Sequence, residues 1–160
     1  MAELRAALAD DGFDHVRTSI ASGNIVVRGE TCEPERVGRV IAERFGLDVP
    51  VIVRSADRFR AAVAANPFPE ATDDPTRLSC CFAPDPVADD ALADFDHERY
   101  APDRLAVAAG ELYAHYPDGV ARSTLTSAVL DRVAGGPVTA RNWNTVLRLA
   151  DLVAAAEAAD

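Results

Sequence analysis

The order of elements predicts an α+β fold made of two halves of the βαββαβ kind, with the opening strand of the first half missing. Three observations carry that expectation. Segments with apolar residues at helical spacing alternate with short runs rich in Val, Ile and Leu. Helix, strand, strand and helix follow one another in the first half, and the second half takes up the same rhythm. A Pro- and Asp-rich stretch from Asn66 to Pro75 forms the seam, giving a first half of residues 1–68, a linker of 69–75 and a second half of 76–160.

In the first half, Leu4, Ala7 and Leu8 lie on one helical face and Gly12 ends that helix. Val16 to Ile20 and Ile25 to Arg28 read as strands joined through Ser22-Gly23-Asn24, residue types that suit a tight turn. From Pro34, the residues Val37, Val40, Ile41 and Phe45 recur at helical spacing up to Gly46, which can take the left-handed backbone of a helix end. Val49 to Arg54 reads as a third strand. Ser55 is placed to cap a helix through Phe59, Val63 and Ala64, which Asn66-Pro67 stops.

In the second half, Arg77 to Ala83 reads as a strand and Pro86 to Phe95 as a helix. Leu105 to Ala108 and Glu111 to Tyr116 form a hairpin turning at Ala109-Gly110. Leu125, Val129, Leu130 and Val133 face one way on the next helix, which Gly135-Gly136-Pro137 ends. A closing helix runs through Trp143, Val146, Leu147, Leu149, Ala150 and Val153. In the βαββαβ order the first strand lies inside the sheet. Without it, the hairpin of Val16 to Arg28 and the strand of Val49 to Arg54 lack a shared neighbour, and their open edge invites self-association with another chain.

Composition narrows the function classes. The 160 residues are 49% apolar and 26% charged, as in ordinary globular proteins, and no apolar run approaches the length of a membrane span. The net charge of −10 argues against general nucleic-acid binding, which draws most of its affinity from cationic contacts to phosphate. Every basic side chain among the 16 is Arg, so the choice of Arg over Lys at any one site has no functional weight. Cys32, Cys80 and Cys81 fit a reducing compartment, and a cytoplasmic protein is expected. Cys80 and Cys81 are adjacent on a strand, so they point to opposite faces and lack the spacing of a metal or redox pair. Asp96-His97-Glu98 reads as a solvated loop or helix end; no metal and no cofactor are assigned.

A series of motifs extends this reading: Met1-Ala-Glu-Leu-Arg, Gly12-Phe13, Val16-Arg-Thr, Ser22-Gly-Asn24, Phe45-Gly-Leu-Asp-Val-Pro-Val-Ile-Val-Arg54, Asn66-Pro-Phe68, Tyr116-Pro-Asp-Gly119, Arg122-Ser123 and Thr139-Ala-Arg-Asn-Trp-Asn-Thr145. In this order they resemble the bacterial family known as domain of unknown function 1697, over nearly the whole chain. The resemblance implies a duplicated, ferredoxin-like α+β fold and implies no activity. Members of that family begin with one further strand and a Gly-rich turn, so Met1 is expected to be an internal methionine or a truncated start.

The candidate site residues cluster late in the chain. Gly119-Val-Ala-Arg-Ser-Thr-Leu125 reads as a glycine turn leading into a helix, where free backbone N–H groups would cradle an anion and Arg122 or Ser123 would add a hydrogen bond. The spacing is not that of a P-loop. The plainer reading makes Ser123 an N-cap and Arg122 a surface charge. In Thr139-Ala-Arg-Asn-Trp-Asn-Thr145, Thr139 reads as the N-cap with Asn142 three positions on, and Trp143 as core. Arg141, Asn144, Thr145 and Arg148 lie on other faces and are placed to converge on a ligand. From the first half, Arg17, Ser22 and Asn24 are candidates to line the same groove, although Ser22-Gly23-Asn24 reads first as a hairpin turn. Tyr113 and Tyr116 are three apart on a strand, so they form no single stacking platform for RNA.

These readings lead to an expected binding module for a small anionic or nucleotide-like ligand in a cleft between the halves. Arg122 and Ser123 would hold the anion while Arg141, Asn142 and Asn144 orient it. Two alternatives stand beside it. One is a hydrolase or transferase using the same cleft with His115 as general base. The other is a partner-binding protein that pairs through the open sheet edge.

Overall fold

The computed structural model describes residues 1–19, 23–29 and 31–158. Its elements are α1 (Ala2–Asp10), β1 (Asp14–Ser19), β2 (Asn24–Arg28), α2 (Pro34–Phe45), α3 (Ala56–Ala64), β3 (Leu78–Phe82), α4 (His97–Tyr100), β4 (Arg104–Ala108), β5 (Glu111–His115), α5 (Ser127–Ala134), β6 (Thr139–Asn142) and α6 (Trp143–Ala158). The fold is α+β, with a two-stranded and a four-stranded antiparallel sheet. The chain forms two compact units, one of residues 1–53 with 148–160 and one of residues 54–147. Helix α3 and the segment 69–75 therefore both lie in the second unit.

In the first unit, β1 and β2 pair as the expected hairpin, with Ser19 opposite Asn24. Ser22, expected in its turn, lies outside the described residues. The register shifts between Asp14 and Arg17, where His15 takes a positive φ of 49°. That is the signature of a bulge, which bends a strand and re-aims its side chains. Val16, Ile25 and Val27 pack against Ala7, Leu8, Phe13, Val37 and Val40 of the small core. Arg36 of α2 lies over the Phe13 ring at 4.2 Å and donates to Asp11 at 2.7 Å. Helix α2 starts with Pro34 and ends at Gly46 in the left-handed region, as its sequence required.

Val49 to Arg54, expected as a third strand, belongs to neither sheet. A β-branched run becomes a strand only where a neighbour offers a ladder, and here Val51 spends its side chain on the small core, 3.8 Å from the Cβ position of Gly38.

The second unit is built on a sheet of order β4-β5-β3-β6. Its opening strand β3 lies inside, between β5 and β6. Both faces of this sheet are covered, which explains why every residue of β3 is buried. On one face, Phe59 of α3 stacks with Phe82 at 5.9 Å, and the Tyr113 hydroxyl donates to the carbonyl of Ala62 at 2.5 Å. On the other, Cys81, Leu105, Leu112 and Ala114 pack with Val87, Tyr100, Leu125 and Leu130. The adjacent thiols divide between the faces as expected. Burial pushes the Cys81 thiol up to about 12 and raises that of Cys80 further.

Across the first face runs an ion pair with no counterpart in the sequence reading. Arg54 donates to Glu111 through Nε at 2.5 Å and through its terminal nitrogen at 2.9 Å, and reaches the Ala83 carbonyl at 2.5 Å. The side chains are only 6% and 1% exposed, so a charged pair holds the start of this unit to its β4–β5 hairpin.

Two helix assignments change. Pro86 to Phe95 is not a helix. Val87 N–H bonds to the Gly110 carbonyl, and Ala91, Ala93 and Phe95 each bond three residues back, so the segment is a series of turns. Such a short, Asp-rich stretch does not repay helix nucleation once its apolar side chains Ala91, Leu92 and Phe95 reach the core as turns. The helix comes later, at α4, where Asp96 accepts from Arg99 N–H at 3.1 Å. The closing helix starts at Trp143 rather than Thr139, because residues 139–142 pair with β3 as strand β6. Asn142 is then the cap, accepting from Thr145 N–H at 3.0 Å. Leu147, one of the apolar residues that marked this helix in the sequence, is 43% exposed; Trp143, Val146 and Leu149 are buried.

Candidate functional site

The hairpin of β4 and β5 turns through Ala109 and Gly110, both at positive φ, and pairs Ala108 with Glu111. Each strand then runs in register to Arg104 opposite His115, and His115 in turn lies opposite Leu78 of β3. One end of the four-stranded sheet thus gathers the start of β4, the end of β5 and the start of β3. Directly opposed residues share a face, so Arg104 and His115 meet.

Their contact is a hydrogen bond of 2.9 Å between the Arg104 terminal nitrogen and His115 Nδ1. A guanidinium has donors only, so Nδ1 accepts and the ring proton sits on Nε2. The same Arg104 nitrogen donates to Glu70 Oε1 at 2.5 Å. Beneath both lies Phe68, buried, with Arg104 over its ring at 4.7 Å and the His115 ring 5.7 Å away. Arg104 is fixed by an aromatic ring, an imidazole and a carboxylate, yet its side chain remains 47% exposed.

The electrostatics follow from this arrangement. Burial lowers the His115 pKa first, the Arg104 guanidinium lowers it further and Arg77 adds to that, while Glu70 and Asp103 pull it up. The imidazole is therefore neutral at neutral pH. With its lone pair turned to Arg104, it is a poor general base; its Nε2–H can donate. The hydrogen bond from Arg104 holds the Glu70 carboxyl below its ordinary value.

The residues expected to form an anion cradle take other roles. Val120–Arg122 is a separate 3-10 turn, whose bonds from Arg122 N–H to Gly119 and from Ser123 N–H to Val120 use the amides meant for a ligand. Helix α5 begins at Ser127 with Thr126 in the cap position, so Ser123 is not its N-cap. Ser123 Oγ donates to the buried Asp103 carboxylate at 2.6 Å and accepts from Leu125 N–H at 2.9 Å. A serine whose proton is held by a carboxylate has none for an anion. The bond does tie the turn to the residue before Arg104, and the exposed Arg122 side chain makes no hydrogen bond or ion pair among the described residues.

Arg141 lies in strand β6, half-buried, and donates to Thr139 Oγ1 at 2.6 Å; burial lowers its pKa. Asn142 caps α6, and Asn144 and Thr145 are half-buried in its first turn. Asn142 lies opposite Ser79, one residue along β3 from Leu78, so it shares the sheet end with His115. In the first unit, Arg17 is exposed on β1 and Asn24 half-buried at the start of β2.

Against known proteins, the family model described as protein of unknown function (DUF1697) matches residues 1–113. The chain belongs to this family. No curated protein and no solved structure matches it. The DUF1697 match takes in Glu70, Arg77 and Arg104 but stops short of His115 and of the turn holding Arg122. No helix among the described residues is long and apolar enough to cross a membrane.

Sequence reasoning missed Phe68, Glu70, Asp103 and Arg104 as a group. A signal existed for one pair: once the turn is placed at Ala109-Gly110, counting outward sets Arg104 against His115. Nothing comparable marks Glu70.

Proposed function

We propose that this member of the DUF1697 family is a cytoplasmic binding module for a small ligand bearing an oxyanion. Its second unit, read as ferredoxin-like, would hold that ligand at the sheet end where β4 begins and β5 ends. The observation that carries the reading is Arg104, pre-positioned over Phe68 and by His115 while about half of its side chain remains open to solvent. A guanidinium already held in place loses little freedom on binding and offers a fork matched to carboxylate or phosphate. Arg122 supplies a second cation without a competing partner, and the Nε2–H of His115 a neutral donor. Asn142, Asn144 and Thr145, at the start of α6, are kept as candidates for orienting the rest of the ligand. Binding is favoured over hydrolysis or transfer because the His115 lone pair is taken by Arg104.

The test is a thermal-shift and calorimetric screen of the intact protein against inorganic phosphate, nucleoside monophosphates and small carboxylic acids. At least one class should bind, Arg104→Ala should abolish the response, and Arg122→Ala should weaken it. A wild-type protein that answers to none of them, or an Arg104→Ala variant that answers equally well, defeats the proposal.

A further inference from the structure

Glu70 stands where a ligand would. It sits in the short 3-10 turn Pro69–Asp73, whose Thr72 Oγ donates to the Pro69 carbonyl at 2.6 Å. Its side chain is 56% exposed and crosses to Arg104 with a single oxygen at 2.5 Å. That oxygen meets the nitrogen that also faces His115, so the carboxylate takes the donor that the imidazole leaves open on that nitrogen.

Little holds Glu70 there besides Arg104. Among the described residues, the other polar groups that act on its carboxyl are its own backbone N–H and His115. Contrast Glu111, whose carboxylate is 1% exposed and bound through both oxygens. One acid is built into the core; the other is a mobile-length side chain resting on an accessible cation.

From this contrast, we infer that Glu70 is an internal stand-in for the ligand, a carboxylate that fills the oxyanion seat on Arg104 and must leave before an external oxyanion binds. The inference rests on the binding reading above and adds regulation to it: the apparent affinity of the site is set by how firmly Glu70 holds its place. It also sets the ligand chemistry, because a group that replaces a carboxylate on the same nitrogen presents an oxygen of like charge and size. A carboxylate and a phosphate share that oxygen.

The experiment titrates the full chain with acetate and, separately, with inorganic phosphate, following the His115 ring and Arg104 side-chain resonances by NMR. Wild type, Glu70→Gln, Arg104→Ala and the Glu70→Gln/Arg104→Ala double variant are compared, with circular dichroism to verify folding. Exposed ion pairs of this kind are worth little, so Glu70→Gln should tighten binding by only about two- to fivefold. The double variant should bind neither probe. If wild type binds and needs Arg104 but Glu70→Gln binds no better, the stand-in is wrong and the binding reading survives. If neither wild type nor Glu70→Gln binds either probe, both fall. Tightening for acetate alone assigns the seat to carboxylates; tightening for phosphate as well assigns it to oxyanions generally.

Discussion

Replacing Glu111 with Gln keeps its shape, and the change isolates what a buried charge contributes. Arg54–Glu111 and Arg60–Asp57, two of the ion pairs in the second unit, have the same closest approach of 2.5 Å. They differ in surroundings: the first pair is 6% and 1% exposed, the second 48% and 91%. Coulomb energy alone would rank them alike; solvent screening separates them. Glu111→Gln removes the carboxylate charge that faces the buried Arg54 cation, and that Arg58 also approaches at 3.8 Å. The expected cost is about 3–5 kcal/mol. Asp57→Asn should cost less than about 0.5 kcal/mol. Trp143, the single tryptophan, is 3% exposed within the same unit and reports its unfolding by fluorescence. For a urea slope of about 1–2 kcal/mol per M, Glu111→Gln should lower the midpoint by about 1.5–5 M. An Arg54→Met/Glu111→Leu double variant should recover most of that loss, since well-packed apolar side chains replace such pairs at little cost. Equal, small shifts for Glu111→Gln and Asp57→Asn would refute the reasoning.

Two further outcomes are expected. Ala109 occupies a left-handed position at φ 50° in the hairpin turn, where Asn is favoured before Gly, so Ala109→Asn should raise stability by about 0.5–1 kcal/mol in thermal melts. No gain would mean the turn is not strained at that residue. His115 should titrate by NMR below the ordinary imidazole value of about 6.5, and Arg104→Ala should move the midpoint upward. Because the folded value lies below the unfolded one, its stabilising contribution is complete above the unfolded pKa and is lost as pH falls through the folded one. A midpoint at or above the ordinary value would contradict the arrangement at the sheet end.

Residue by residue, the sequence was most informative where local chemistry decides the outcome. Pro34 and Gly46 bracket α2, Ser55 caps α3 by accepting from Arg58 N–H at 3.3 Å, and Ala109-Gly110 turns the hairpin, as their types require. It misled where a distant partner decides. Thr139 looked like a cap, but a strand neighbour claimed residues 139–142 and passed the capping to Asn142. Val49 to Arg54 had strand composition without a ladder to join. The site was hardest to read. Glu70 and Arg104 are 34 residues apart, and Arg54 and Glu111 are 57 apart, so neither spacing nor periodicity links them. Ser123 was expected to hold an anion or cap a helix, and its hydroxyl donates to the buried Asp103 carboxylate, a partner twenty residues away.

The neighbouring cysteines of β3 make a natural pair of clocks. Cys80 looks toward Tyr113 and the α3 layer, Cys81 toward Leu130 and the α5 layer, and both are fully enclosed. An alkylating reagent reaches either thiol only when its own cover parts, while half-buried Cys32, whose thiol burial raises less, is the more accessible reference. Timing the two modifications against Cys32 would reveal which side of the sheet breathes first.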